Sequence, residues 1–257
     1  MTETTTWRTV AADLRGRTVV VIGGSGGVGE GVVRSSLASG ATVIATGRDV
    51  DRLDALAERL RSEGSVERLH TQALDATAAT LDEDVQALAD RFGPFDGVVV
   101  SVASWGDQGR KPALALTDRE WAALLDDNLT SVFRLYRAFL PTVDPSGVLM
   151  QLNGLSADLP FPGGAAVALS AAATKSLTLT VAAERQGRGP RVQQLILGVV
   201  RTRARQDAGI DDERWIDGSQ IGDHVAHLVA GSSPLAEADL QYFVNRSVGP
   251  VAGPVAP

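Results

Sequence analysis

Apolar and polar positions along this chain fall into short alternating blocks of two kinds. Val19–Ile22 is a β-branched run that reads as a buried strand. A helical pattern follows from about Val28 to Ala38, with Val32, Val33 and Leu37 inward and Gly40 as its stop. Ala41–Thr46 reads as a second strand, and Asp49–Glu63 as a polar helix with Leu53, Leu56 and Leu60 on one face. Val66–Leu74 is a third strand, Thr80–Phe92 a helix, and Asp96–Val102 a strand apolar enough for burial on both faces. Trp121–Leu140 reads as one long helix stopped by Pro141, and Gly147–Leu152 as the fifth strand. A long Ala/Leu/Thr-rich helix, Gly163–Arg185, precedes the strand Arg191–Leu197. The helix Gly218–Ala230 and a seventh strand, Leu240–Asn245, complete the pattern.

Strand and helix alternate from Val19 to Asn245. That order predicts an α/β fold: one doubly wound parallel sheet of about seven strands flanked by helices, with ligands at the carboxyl ends of the strands. No linker or repeat interrupts it, so residues 1–257 are expected to form a single domain with a core of about 15–250. Met1–Thr6 is expected as a loose terminus and Ser247–Pro257 as a flexible surface tail.

The candidate chemistry sits where the first strand meets the first helix. Gly23-x-x-x-Gly27-x-Gly29 joins them. Such glycines let the backbone turn tightly and approach a ligand, and the free N–H groups of the first helical turn face an anion. Gly23, Ser25, Gly27, Val28 and Gly29 are therefore candidate contacts to a dinucleotide. In dinucleotide folds an acid about twenty positions on binds the ribose 2′-OH, whereas an arginine there suits a 2′-phosphate. Here Gly47 is followed by Arg48, which favours NADP(H) over NAD(H).

Composition narrows the partners. The net charge is −7 with no basic block, which argues against nucleic acid or an anionic membrane. The chain has no cysteine, so it has no disulfide framework and no thiol nucleophile. No apolar run approaches a transmembrane length and no signal-peptide core follows Met1, so cytoplasmic residence is expected. His224 and His227 lack a third ligand, and no metal site is expected.

From roughly Arg15 to Pro250 the chain resembles the short-chain dehydrogenases/reductases. Gly23, Gly27 and Gly29 match the family's T-G-x-x-x-G-x-G, with Ile22 for the threonine. Asp75 follows the third strand, Ala103 survives from N-N-A-G, and Asn128–Phe133 matches N-x-S/T-x-x-F. Leu197–Thr202 matches P-G-x-x-x-T, with Gly198 and Thr202 kept. The resemblance implies a Rossmann domain binding a nicotinamide dinucleotide. It also implies that Asp75 holds the adenine and Thr202 the nicotinamide amide.

The family's catalytic set does not carry over. Its tyrosine moves the proton, its lysine lowers the tyrosine's pKa and holds the ribose, its serine polarises the carbonyl, and its asparagine completes a relay. Ala171–Glu184 overlays the end of the family's catalytic helix, which puts Ala171 at the lysine slot and Val167 at the tyrosine slot. The serine slot falls on Gly154, and Gly147–Gly154 overlays the strand ending there. Sliding the helix to use Lys175 puts Ala171 at the tyrosine slot, so only Asn128 survives. The two tyrosines, Tyr136 and Tyr242, supply no nearby substitute.

Each general acid–base group contributes ~10²–10⁴ in rate, so this loss should cripple simple carbonyl reduction. Asp158, after Gly154, is the best surrogate acid by position, with Ser156 beside it. Ser170 and Thr174 are expected to bond back to helix carbonyls, and Lys175 to be a surface or interface charge. Arg201–Ser219, with Trp215, falls where the family has its substrate lid. Ala165–Leu169, Leu177, Leu179 and Val181 go round their helix, so it should bury more than one side in a homodimer or homotetramer. Three readings stay open: an oxidoreductase with an unusual proton source, a non-redox cyclase, lyase or isomerase reusing the pocket for a small molecule, and a non-catalytic cofactor-binding sensor or partner subunit.

Overall fold

Val19–Ile22 and Val98–Val100 present apolar side chains to both faces, and they lie side by side at the centre of the sheet. The computed structural model describes residues 11–62 and 66–253. The expected loose terminus, Glu63 at the end of the second helix, and residues 254–257 of the tail lie outside them.

The first half of the chain supplies β1 (Thr18–Ile22), α1 (Gly27–Ala38), β2 (Thr42–Gly47), α2 (Val50–Ser62), β3 (Leu69–Ala73), α3 (Leu81–Phe92) and β4 (Phe95–Val100). Then come α4 (Asp118–Leu125), α5 (Ser131–Phe139), β5 (Val143–Gly154), α6 (Ala165–Arg185) and β6 (Arg191–Leu197). The remainder holds β7 (Val200–Arg201), α7 (Arg203–Asp207), β8 (Ile216–Asp217), α8 (Gly218–Ala230), β9 (Leu240–Phe243) and β10 (Val251–Ala252). The main sheet runs β3-β2-β1-β4-β5-β6-β9-β10, while β7 and β8 form a separate parallel pair. The doubly wound α/β architecture is as expected, with eight strands rather than seven.

The eighth strand corrects the reading of the tail. Val251 and Ala252 pair antiparallel with Tyr242 and Gln241, and Gly253 donates its N–H to the Leu240 carbonyl. A two-residue strand is too short to show a period, so only the pairing reveals it.

The long helix expected over Trp121–Leu140 is divided. Between α4 and α5, Asp126–Thr130 forms a π turn in which the Ser131 N–H bonds the Asp126 carbonyl. The Asn128 amide takes the Leu124 carbonyl at 2.9 Å, so a side chain enters the helical ladder at that point.

Helix α6 also departs from expectation. Its buried positions are Ala166, Ser170, Ala171, Thr174 and Thr178, not its leucines. Gln151 donates to the Thr174 hydroxyl at 3.1 Å, Gln194 donates to the Gln151 carbonyl oxygen at 2.7 Å, and Tyr136 meets Thr178 at 2.8 Å. Burial pushes the Tyr136 phenol well above its usual range despite that bond. Thr174 also bonds back to the Ala171 carbonyl, as expected, whereas the buried Ser170 hydroxyl meets no partner among the described residues. Leu169 is 45% exposed, and Leu177 and Val181 line an apolar groove of about 530 Å³ with Phe133 and Leu140. By length and mean hydropathy α6 reaches the range of a membrane-crossing helix, contrary to the reading that no run does. Here its buried Thr174 and Thr178 meet Gln151 of β5, Gln194 of β6 and Tyr136 of α5.

Candidate functional site

The carboxyl ends of β1, β2, β3 and β4 open on one cleft of about 330 Å³. Gly23, Ser25, Arg48, Asp75 and Ala103 line it, as does Ser104. It is also lined by two residues that sequence reasoning missed, Arg52 and Asp127. Arg52 stands one helical turn after Arg48 and reaches the Ser25 carbonyl at 3.4 Å. Asp127 lies in the π turn, far from Arg48 in sequence, and no spacing rule connects them.

The glycine turn is explained first by the chain's own packing. Gly23 has φ +81°, a conformation that side chains disfavour, and a Cβ there would fall 2.2 Å from the Ser101 carbonyl oxygen. At Gly29 a Cβ would fall 2.1 Å from the Gly23 carbonyl oxygen. Gly27 meets Thr202, whose Cβ lies 2.6 Å from where a Cβ on Gly27 would be. The space at Gly27 and Gly29 is thus filled from within, so the chain's own packing requires glycine at both positions. Gly198 is set against the Val244 backbone, and neither it nor Val28 lines the cleft.

What remains for an anion is the start of α1. Its N-cap is Gly26, which offers no side-chain cap. The N–H groups of the first turn of a helix have no intrahelical acceptor, and they carry the positive end of the dipole. Turn, uncapped helix, two arginines and cleft together fit a nicotinamide dinucleotide.

Asp75 accepts from the Thr77 N–H at 2.8 Å and from its hydroxyl at 2.7 Å. Burial opposes its charge, but these bonds and Arg48 hold its carboxyl below the usual range. Next to the turn, Glu30 is buried and meets Arg34, Arg59 and Arg203. Burial again opposes the charge, and the arginines win, lowering its pKa. Arg203 opens α7, so this cluster ties residues 201–219 to α1. In that segment Arg201 pairs with Asp211, and Arg205 covers the Trp215 ring at 5.4 Å.

Beside the cleft, Asn128 is buried and fully engaged. Its carbonyl oxygen accepts the Ser104 N–H at 2.8 Å, and its amide donates to the Ser104 and Leu124 carbonyls at 2.9 Å. Gly154 ends β5 with room beside it, the nearest side-chain atom being Ser156 Oγ at 3.6 Å from a built Cβ. Val167, half-buried, shares a cavity of only about 10 Å³ with Trp105. Ala171 is buried, and the Asn153 amide donates to its carbonyl at 2.8 Å, which brings the end of β5 against that turn of α6. Loop aromatics close over this region. Trp105 and Phe161 rings lie 5.6 Å apart, with the Arg110 guanidinium 4.9 Å from the Phe161 ring.

Asp158 and Lys175 are not free surface charges. They form an ion pair, and Tyr242 donates its hydroxyl to Asp158 at 2.7 Å while accepting from Lys175 at 3.0 Å. The sequence offered no tyrosine near either residue. Tyr242 arrives from β9, two strands over from β5. Burial raises the Asp158 pKa, but Lys175 and Tyr242 outweigh it and the net direction is down. Asp158 is thereby held as a carboxylate rather than as a proton donor. His224 and His227 are buried and bond Gln241 and Ser232. Among the described residues no three His, Asp or Glu side chains gather as metal ligands.

Comparisons with known proteins agree with this fold. Residues 17–213 match the family described as short chain dehydrogenase. A 3β-hydroxysteroid dehydrogenase of Eggerthella lenta is 32% identical over 207 residues, covering 78% of this chain and 77% of its own. Among solved structures, a glucose/ribitol dehydrogenase of Brucella melitensis is similar at TM-score 0.74 and 27% identity, over 89% of this chain and 93% of its own. A short chain oxidoreductase of Pseudomonas aeruginosa, described as NADPH-bound with an atypical catalytic centre, is similar at TM-score 0.72 and 26% identity. That likeness covers 88% of this chain and 93% of its own.

Proposed function

The chain belongs to the short-chain dehydrogenase family, and we propose that it binds NADP(H) beside the glycine turn but lacks the groups for ordinary carbonyl reduction. The observation that carries this reading is the set Gly154, Val167 and Ala171 at the serine, tyrosine and lysine slots. A bound nicotinamide dinucleotide would supply a hydride. Hydride addition to a carbonyl leaves an alkoxide that needs a proton donor within hydrogen-bond reach. None of these three side chains donates a hydrogen bond. Asn128 does not replace them, because its side chain already serves Ser104 and Leu124.

On the cofactor side, the first turn of α1 receives the pyrophosphate and Asp75 the adenine. Arg48 and Arg52 provide the positive charge that suits a 2′-phosphate. The Pseudomonas aeruginosa relative, NADPH-bound with an atypical centre, supports pairing these two features. The same reading takes the protein to be a cytoplasmic homo-oligomer, its apolar α5–α6 groove covered by a second copy.

One observation favours a second reading, an oxidoreductase with a substitute proton source. Tyr242 and Lys175 are in hydrogen-bond contact, so a phenol and an ammonium meet outside their usual slots. Titration with NADPH and NADH, followed by a ketone and aldehyde panel, separates the cases. NADPH binding without turnover supports the first reading. Turnover abolished by Tyr242→Phe or Lys175→Met supports the second, and no cofactor binding at all overturns both.

A further inference from the structure

Arg48 does not stand free in the cofactor cleft. Its Nη1 lies 3.1 Å from Asp127 Oδ1, and both residues line that cleft. Arg48 follows the end of β2 and Asp127 sits in the π turn before Asn128, so the pair reaches from the β2 side to the α4–α5 side. Two other carboxylates line the cleft, and each has local employment. Asp49 accepts the Arg52 backbone N–H at 3.0 Å, and Asp75 takes Thr77. The Asp127 carboxylate has Arg48 as its one partner among the described residues. The Asp127 side chain is 24% exposed and that of Arg48 is 58% exposed, so the acid is the fixed member and the arginine the movable one.

A 2′-phosphate entering this cleft meets a competitor. If Arg48 turns to the phosphate, Asp127 is left as an unpaired, partly buried carboxylate near a second anion. If Arg48 stays, the phosphate has only Arg52. Either way part of the attraction is spent against like-charge repulsion. A ribose 2′-OH carries no such conflict, since a hydroxyl can donate to a carboxylate. We propose that Asp127 sets the discrimination between 2′-phosphorylated and plain adenosine cofactors, by competing with the 2′-phosphate for Arg48. This rests on reading the cleft as the cofactor site.

The test uses the whole chain and binding alone. Wild type, Asp127→Asn, Arg48→Ala and the double variant are titrated calorimetrically with NADPH and NADH, and with the fragments 2′,5′-ADP and 5′-ADP. Asp127→Asn should tighten NADPH and 2′,5′-ADP about tenfold, the scale of one freed charge-assisted bond, and leave NADH and 5′-ADP nearly unchanged. In the Arg48→Ala background the gain should shrink to what removal of the Asp127 charge alone supplies. Asp127→Ser, with its melting temperature, guards against a local packing effect of the asparagine. A NADPH-to-NADH ratio untouched by both Asp127 variants overturns the proposal while leaving the cofactor reading intact. So does a gain that is undiminished without Arg48. If wild type and variants bind none of these ligands, the cofactor reading itself falls, and the proposal with it.

Discussion

The cleft at the glycine turn and the end of β5 lie along one edge of the same sheet, yet they constrain their residues in different ways. At the cleft, Gly23 and Gly29 are demanded by backbone atoms closer than 2.5 Å to any added Cβ. At the end of β5 an added Cβ on Gly154 meets nothing nearer than 3.6 Å. Packing dictates the first pair whether or not a ligand binds. Only chemistry would dictate a serine at the second. A glycine turn is therefore firm evidence for the fold and weaker evidence for the cofactor, while the slots on β5 and α6 speak about chemistry alone.

The comparison breaks most visibly if the chemical end works after all. Across a ketone panel with NADPH, turnover should lie at least ~10²-fold below that of relatives with the full catalytic set, the contribution of one general acid. Family-like rates in a steady-state assay would place the proton donor elsewhere and make Tyr242 and Lys175 the first residues to mutate. Introducing Gly154→Ser, Val167→Tyr and Ala171→Lys together should add activity if the pocket has kept its shape.

The packing end makes the next largest demand. Gly29→Val should cost about 3 kcal/mol, because its Cβ meets a carbonyl that cannot rotate away. Chemical denaturation measures this, and Gly154→Val provides the contrast with a small cost. Equal losses at both positions would mean that packing constrains the end of β5 as tightly as the glycine turn.

Arg48→Ala sharpens the cleft side. It should remove most of any preference for NADPH over NADH, roughly 1.5–3 kcal/mol or about tenfold and more in affinity. Competitive titration reads the ratio directly, and an unchanged ratio would shift the role to Arg52.

The smallest effect concerns Asp158. Its folded pKa is depressed by Lys175 and Tyr242, against the pull of burial. A depressed carboxylate contributes stability above its unfolded value of about 3.9, and loses it as pH falls through the folded value. Partial exposure limits this to about 1 kcal/mol or less. Asp158→Asn should therefore lower the melting temperature slightly at pH 7, with the gap to wild type closing below about pH 4. A gap that widens in acid would contradict the pairing.

Periodicity and turn chemistry were enough, from sequence, for the alternation of elements, the doubly wound sheet and the positions of the glycine turn and Arg48, and the family resemblance added Asp75. Those signals are local, set by residues a few positions apart, and local order survives translation into structure. Helices α6 and α8 and strand β6 were bounded from the sequence to within two residues or better for the same reason. Local order did not reveal that α6 turns hydroxyls rather than leucines to the sheet, because the partners Gln151 and Gln194 lie on separate strands. Nor did it reveal Asp127 beside Arg48, Thr202 on Gly27, or Tyr242 between Lys175 and Asp158. Each of these contacts joins residues that chain order keeps far apart. Their meeting depends on which strands become neighbours and which face of each points where, and only the assembled sheet decides that.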